Sequence, residues 1–391
     1  MANYRLLIVE DDPSEISTWK MQIPRYAANH NTEFEADFAD SISNAEYLIK
    51  SRRYDAAIVD IRLKGIDGTR DAGADGNRVR ELLTNSEVLI VAHITGEPGA
   101  IENNSFATSG IIKVFEKGQV TDTKPLHEEI LDWISSHKVM IDAIRKSKKI
   151  IKEKMASLFF SSIWPRWRIW SSVTGSDDFI EASLARHISS HLYAELLGNT
   201  SGKVHPEEWY FMPPNSARFR AGDICKKGDS YLVLISPRCD LERPNVGDTL
   251  IFANLQDIST IWVEELSKTT SRIDECKRII RELENDAARV QAENQKILRA
   301  EASFRKRFYG HSDGNFRLHF IPPIALAENN IVGPFYIDFS DIHQVKYGHP
   351  DADSLLASRV AQISPEFLPA LVQRLGAYIS RIGSPDYSHI Y

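Results

Sequence analysis

A chain of 391 residues with a net charge of −7, 42% hydrophobic and 26% charged, carries apolar residues enough for two or three domain cores. Its composition argues against global disorder and against general attraction to polyanions. No apolar run reaches about 18 residues, so no membrane span is expected. Acid appears at Glu10 before a signal-peptide core could be completed, which gives the expectation of a cytoplasmic protein. Cys225, Cys239 and Cys276 are too few and too scattered for a disulfide framework.

Residues 5–9, RLLIV, read as a short buried strand that stops at Glu10-Asp11-Asp12. A helical pattern follows. Three more strand-like runs come next: YDAAIVDIRL around Asp60, EVLIVAHITG around Thr95 and GIIKVFEKG around Lys117. Nearly continuous apolar strands separated by helix-length segments predict a parallel sheet covered on both faces. Such sheets gather their chemistry at the carboxyl ends of the strands. Glu10, Asp11, Asp60, Thr95 and Lys117 all fall there. Three clustered carboxylates repel one another unless a cation sits among them. Oxygen ligands suit Mg²⁺, and a lysine and a hydroxyl nearby would complete a phosphoryl pocket with Asp60 as nucleophile.

In IVEDD, IVDIRL, ITG and GIIKVFEK, residues from about 4 to 140 resemble the receiver domain of bacterial two-component response regulators. The resemblance implies a doubly wound, five-stranded parallel α/β domain. It also implies that Asp60 accepts phosphate from a sensor histidine kinase or phosphotransfer protein. Asp11 and Asp60 would hold Mg²⁺ directly, Glu10 through water, and the backbone carbonyl of Arg62 would supply a further ligand. Thr95 and Lys117 would read the phosphoryl group. Three departures stand out. Gly118 follows the lysine where the family has proline. Val114 occupies the usual aromatic switch position, while strand alternation turns Phe115 to the other face. The loop KGIDGTRDAGADGN after Asp60 is lengthened.

The segment 126–172 reads as the last receiver helix and a helical linker, leaving 1–125 as the rest of the receiver. Leu126, Ile130, Trp133 and Ile134 have helical spacing. The continuation carries Arg145, Lys146, Lys148, Lys149, Lys152 and Lys154, then SSIWPRWRIWSSV. It admits two readings: contact with nucleic-acid phosphate or an anionic surface through Trp164, Trp167 and Trp170, or a solvated basic face beside packed tryptophans. The second is preferred.

Residues 173–391 are expected to form a β-rich α+β domain. A helix from about 175 to Gly198 sets His187, His191 and Glu195 on one face, a spacing that could hold a metal but reads better as a helix surface. Strand-like SYLVLISPRCDL, DTLIFANL, FRLHFIPP and GPFYIDF follow. Cys239, with His311, His319 or His343 as base, suggests a nucleophile. Without elbow glycines, a buried structural cysteine is the better expectation. An insertion at 259–309, free of proline and carrying heptads, is either an antiparallel hairpin broken near Asn285-Asp286 or one long helix that could join a second copy as a coiled coil. A straight helix of about 45 residues would carry the chain about 65–70 Å away before the next strand, so the hairpin is preferred. Asn294 takes an a-type heptad position, and Phe367, Leu371, Leu375 and Ile379 share a face of a closing helix.

The leading functional expectation is a response regulator in which Asp60 controls a C-terminal interaction module bound to a protein effector. No separate catalytic output is expected. One alternative is a phosphate sink that buffers a kinase–effector pathway, as in a defence-type two-component system. The other is a DNA-binding regulator, with nucleic acid the less favoured partner.

Overall fold

The computed structural model describes residues 4–30, 32–60, 63, 82–83, 86, 88–96, 110–118, 124–172, 177–198, 204–283, 286–309, 316–327 and 329–380. Two compact units divide the chain, residues 1–199 and 200–391. Among the described residues, no helix is long and apolar enough to cross a membrane.

In the first unit, β1 (Tyr4–Val9), β2 (Phe34–Ala39), β3 (Ala56–Asp60), β4 (Ile90–Thr95) and β5 (Ile112–Glu116) form one parallel sheet in the order β2-β1-β3-β4-β5. Alternation along β1 sends Leu6 and Ile8 to one face and Leu7 and Val9 to the other. The first pair packs with Trp19, Ile23 and Tyr26 of α1 (Pro13–His30), and the second with Ala45 of α2 (Ile42–Ser51) and with Tyr54. Both faces are therefore apolar, which explains strands without polar alternation. Ser41 caps α2 by accepting from the N–H of Asn44.

The C-terminal helices of this unit do more than connect. α3 (Leu126–Ser136) buries Ile130, Leu131 and Ile134 under the sheet. After a break at His137, α4 (Lys138–Leu158) adds Ile141 to the same core. The Tyr4 hydroxyl donates to Asp142 (3.0 Å), Lys138 donates to the Thr32 hydroxyl, and Arg145 pairs with Asp55. The first half of α4 is thus seated on the receiver-like sheet. A π-turn (Phe159–Ile163), a 3₁₀ turn at Trp164–Arg166 and the short α5 (Trp167–Ser171) follow. Trp164 is 61% exposed and Trp167 is exposed too; only Trp170 is half-buried, its ring 5.1 Å from that of His187. α6 (Asp177–Gly198) is held to α4 by the Lys154–Glu195 ion pair at 2.6 Å. It stands in the first unit, whereas the sequence segments place it at the head of the third.

In the second unit, β6 (Tyr210–Phe211), β7 (Asp223–Lys227), β8 (Ser230–Leu234), β9 (Thr249–Asp257), β10 (Leu318–Ile321), β13 (Phe335–Lys346) and β14 (Arg359–Ile363) form an antiparallel sheet ordered β10-β13-β9-β8-β7-β14-β6. β11 (Ile324–Ala327) and β12 (Asn330–Val332) make a separate hairpin. The β-rich α+β class therefore holds. The short α7 (Arg238–Glu242) lies between β8 and β9.

The insertion is a helical hairpin: α8 (Ser259–Glu282) and α9 (Ala287–Phe308), with Asp286 capping α9 through the N–H of Arg289. The helices run antiparallel, because Trp262 near the start of α8 meets Phe304 and Phe308 near the end of α9. Phe320 and Tyr336 of the sheet complete that aromatic cluster. Cys276, Glu293 and Ala300 are buried between the helices, but Asn294 is exposed, so within the chain it sits outside the seam. α10 (Pro350–Ala357) and α11 (Leu368–Ile379) cover the sheet. Leu371 is buried and Phe367 stacks on Trp209 at 3.9 Å, while Ile379, expected on the same face, is 69% exposed.

Candidate functional site

Parallel pairing fixes the site. Val9 is level with Val59 across β1 and β3, Asp60 with Ile94, and Thr95 with Glu116. Residues just past the strand ends are therefore neighbours: Glu10 after β1, Asp60 and Thr95 ending β3 and β4, Lys117 after β5. Glu10 is 2% exposed and Asp60 6%, and Thr95 is fully buried. One carboxylate oxygen from each of Glu10, Asp11 and Asp60 lies within 4.8 Å of the others.

Lys117 closes the cluster. Its Nζ donates to Asp60 Oδ2 at 2.7 Å and stands 3.5 Å from Glu10 Oε2. Its backbone N–H donates to the Thr95 carbonyl at 2.7 Å, which ties the lysine loop to β4. Glu10 in turn accepts from the N–H of Asp12 (3.1 Å), and its own N–H donates to the Ala39 carbonyl. Burial, and then the charge of Asp60, push the Glu10 carboxyl up to about 7, against the pull of Lys117 and the Asp12 N–H. Burial works to lower Lys117, but the hydrogen bond and charge of Asp60, with Glu10 behind them, leave it above the ordinary lysine value. Among the described residues, the Lys117 ammonium faces these three carboxylates, and this donor set of oxygens fits a hard divalent cation.

Two flanking groups escape a strand-end reading. His127, in the first turn of α3, lies 3.4 Å from Glu15 in the first turn of α1, with its ring 4.3 Å from Trp19. Burial holds His127 below the ordinary histidine value although Glu15 opposes it, and Lys117 pushes the same way as burial. Acid in a first helical turn was the one visible signal.

No protein-family model matches the chain, and no curated protein does. Among solved structures, it is similar to the non-phosphorylated receiver domain of HemR from Leptospira biflexa (24% identity over 34% of this chain and 92% of that one, TM-score 0.26). It is also similar to the response regulator TrrA from Thermotoga maritima in complex with Mg²⁺ and BeF (19% identity, 33% and 98%, TM-score 0.25). A third is the receiver domain of a Pseudomonas aeruginosa sensor histidine kinase with magnesium coordinated in its active-site cleft (17%, 34% and 99%, TM-score 0.25). The N-terminal sheet, five parallel strands ordered β2-β1-β3-β4-β5 with helices on both faces, has the doubly wound α/β architecture expected from the sequence.

In this unit, the structure brings Glu10, Asp11, Asp60 and Lys117 together, with Thr95 at the adjoining strand end. Arg62 and the lengthened loop KGIDGTRDAGADGN lie outside the described residues. Phe115 is buried against Trp133 of α3 at 5.8 Å, on the face that alternation assigns it. Gly118 has φ +91°, a value closed to proline.

The other candidates separate. The His187 and His191 rings lie 4.2 Å apart and tilted by 55°, and Glu195 is engaged by Lys154. Among the described residues, the Glu10, Asp11 and Asp60 cluster is the metal-competent group found, and these three do not form another. Cys239, expected buried, is exposed: one turn of helix after Pro237 leaves its thiol at the surface, 3.4 Å from Asp240 Oδ1. His343 sits beside Lys227 (3.3 Å), His319 is buried on β10, and His311 lies outside the described residues.

Proposed function

We propose that the protein is a response regulator whose Asp60 takes a phosphoryl group from a histidine kinase or phosphotransfer protein and thereby biases a C-terminal interaction module. The observation that carries this reading is the Lys117–Asp60 contact at 2.7 Å inside a cluster of three carboxylates, of which Glu10 and Asp60 are buried and Asp11 half-buried. Asp60 Oδ would attack phosphorus as the P–N bond to the donor imidazole breaks, forming an acyl phosphate on β3. Lys117 would turn from the carboxylate to the new phosphoryl oxygens, and the Thr95 hydroxyl, at the next strand end, would accompany it. Burial of Glu10, Asp60 and Thr95 limits the access of water to the acyl phosphate.

Glu10, Asp11 and Asp60 would hold Mg²⁺, which the all-oxygen donors and the raised Glu10 carboxyl both suit. When bound, it would neutralise charge on the phosphoryl oxygens.

Incubation with a small-molecule phosphodonor and Mg²⁺ tests this reading. The wild-type chain is expected to acquire acid-stable, base-labile phosphate that Asp60→Asn lacks. Equal labelling of the two proteins would sink it.

A second reading, a phosphate sink, is favoured by Val114 and by Gly118, whose backbone departs from anything proline could adopt. The seating of α4 on the receiver sheet favours the switch instead. Under the sink reading, phosphorylation labels Asp60 yet leaves amide exchange in α4 and in the C-terminal unit unchanged.

A further inference from the structure

The helical run that prolongs α4 ends in an apolar patch. Leu158 and Ile163 face inward and are buried. Phe160, Trp164 and Trp167, spaced i, i+4 and i+7, are instead 70%, 61% and 41% exposed, and Ile169 beside them is 58% exposed. The Phe159 ring stands 5.3 Å from that of Phe160 and 6.2 Å from that of Trp164, so the aromatic groups are contiguous. Exposed apolar side chains scattered singly need no explanation, but a contiguous group of large ones marks an interaction surface.

Charge indicates which kind of surface. Between Glu153 and Asp177 the sequence holds no carboxylate. Arg166 and Arg168 stand exposed within that stretch, and among the described residues no carboxylate pairs with either. The acids on the adjoining helices are Glu153, 3.7 Å from Lys149, and Glu195, which Lys154 holds; Asp178 and Glu181 open the next helix, α6. The apolar patch is therefore flanked by its own free guanidinium groups in a chain whose net charge is −7.

We propose that this patch docks on the surface of an anionic lipid bilayer without crossing it. Indole rings, apolar in body and polar at one edge, settle at headgroup depth; Phe160 and Ile169 would reach the acyl boundary, and Arg166 and Arg168 would meet lipid phosphates. Two other occupants fit less well. A nucleic-acid backbone calls for a track of cations, whereas here two guanidiniums accompany five apolar side chains. A second copy calls for a regular helical seam. Within residues 159–171 the backbone passes from a π-turn through a 3₁₀ turn containing Pro165 to the short α5, which interrupts any such seam. A fluid surface requires neither. Docking does not depend on phosphoryl transfer, so Asp60→Asn is expected to bind vesicles like wild type, and failure of one reading leaves the other standing.

The test is co-sedimentation of the full chain with vesicles of phosphatidylcholine alone or mixed with phosphatidylglycerol. Wild type is expected to sediment with the mixed vesicles and to be released as salt rises. Arg166→Gln/Arg168→Gln should lose at least about ten-fold in partitioning to the mixed vesicles, and Trp164→Ala/Trp167→Ala should lose at least as much. Met21→Ala/Tyr47→Ala, which removes exposed apolar groups from α1 and α2, should lose nothing. Melting curves confirm that the variants fold. Failure of wild type to sediment with mixed vesicles would overturn the proposal, as would equal binding to both vesicle types or equal loss in all three double variants. Two further results would also overturn it in the absence of vesicle binding: a dimer in light scattering that Trp164→Ala/Trp167→Ala converts to monomer, or a single-stranded oligonucleotide that binds the patch.

Discussion

Arg145 of α4 lies 3.4 Å from Asp55, the residue that immediately precedes the strand ending in Asp60. One short strand therefore has the acceptor carboxylate at one end and a grip on the outgoing helix at the other. Asp55 also accepts from the Arg5 N–H, so it ties β1, β3 and α4 at one point.

Asp55→Ala removes the acceptor for a backbone N–H and the partner of Arg145 together. A cost of about 1–3 kcal/mol is expected, read from the urea midpoint. Asp55→Asn, which keeps an acceptor oxygen, should cost less. In both variants, amide exchange in the first turns of α4 should quicken; unchanged exchange there would show that the contact does not anchor the helix.

Gly118 turns the chain after Lys117 with φ +91°, and a Cβ built there meets nothing within 4 Å. The penalty for Gly118→Ala is therefore conformational, about 1–2 kcal/mol. Gly118→Pro should cost more, because its ring fixes φ near −65°, and should reduce phosphodonor labelling by displacing Lys117. Thermal melts and labelling rates check both.

Glu293 sits in the seam between α8 and α9, with Oε1 accepting from Lys296 at 2.6 Å while Oε2 is buried without a hydrogen bond. Glu293→Leu is expected to raise the melting temperature, since its buried neighbours Cys276 and Ala300 are apolar. Trp262→Ala should have the opposite effect. It opens the cluster with Phe304, Phe308 and Phe320, at a cost of about 3 kcal/mol.

Acid should destabilise the second unit through Asp338. Arg317 donates to both of its oxygens, at 2.8 and 2.6 Å, and with Ser340 holds its carboxyl at about 2 instead of 3.8, although burial opposes this. Between those values the unfolded chain binds more protons than the folded one, so stability rises with pH there. The contribution is complete above 3.8 and is lost as pH falls through about 2. Asp338→Asn should flatten that part of an acid-unfolding curve.

Much of the acidic site was legible because strand ends are. IVEDD, IVDIRL and GIIKVFEK each show an apolar run stopping at a charged residue, and parallel register alone then makes Glu10, Asp60 and Lys117 neighbours. The break between α8 and α9 was legible as well, since Asp286 is a good cap and a single long helix could not return to the sheet. The role of α4 was not. Helical spacing identifies Ile141 as apolar, yet only tertiary packing reveals that it joins the core under β1 and draws Arg145 to Asp55. The order of the C-terminal strands was equally hidden, because β14 reaches across to β7 and β6 through pairings that no local pattern encodes.

The hairpin has one more consequence. Its chain leaves the sheet at the end of β9 and re-enters at β10, and both strands pair with β13. Its 24-residue first helix extends about 36 Å, while its base is sealed by aromatic side chains of the sheet. Topologically it is an excisable arm. A short turn spliced above the Trp262–Phe304 level would leave every strand pairing intact, so evolution could lengthen, shorten or exchange this arm without renegotiating the domain that carries it.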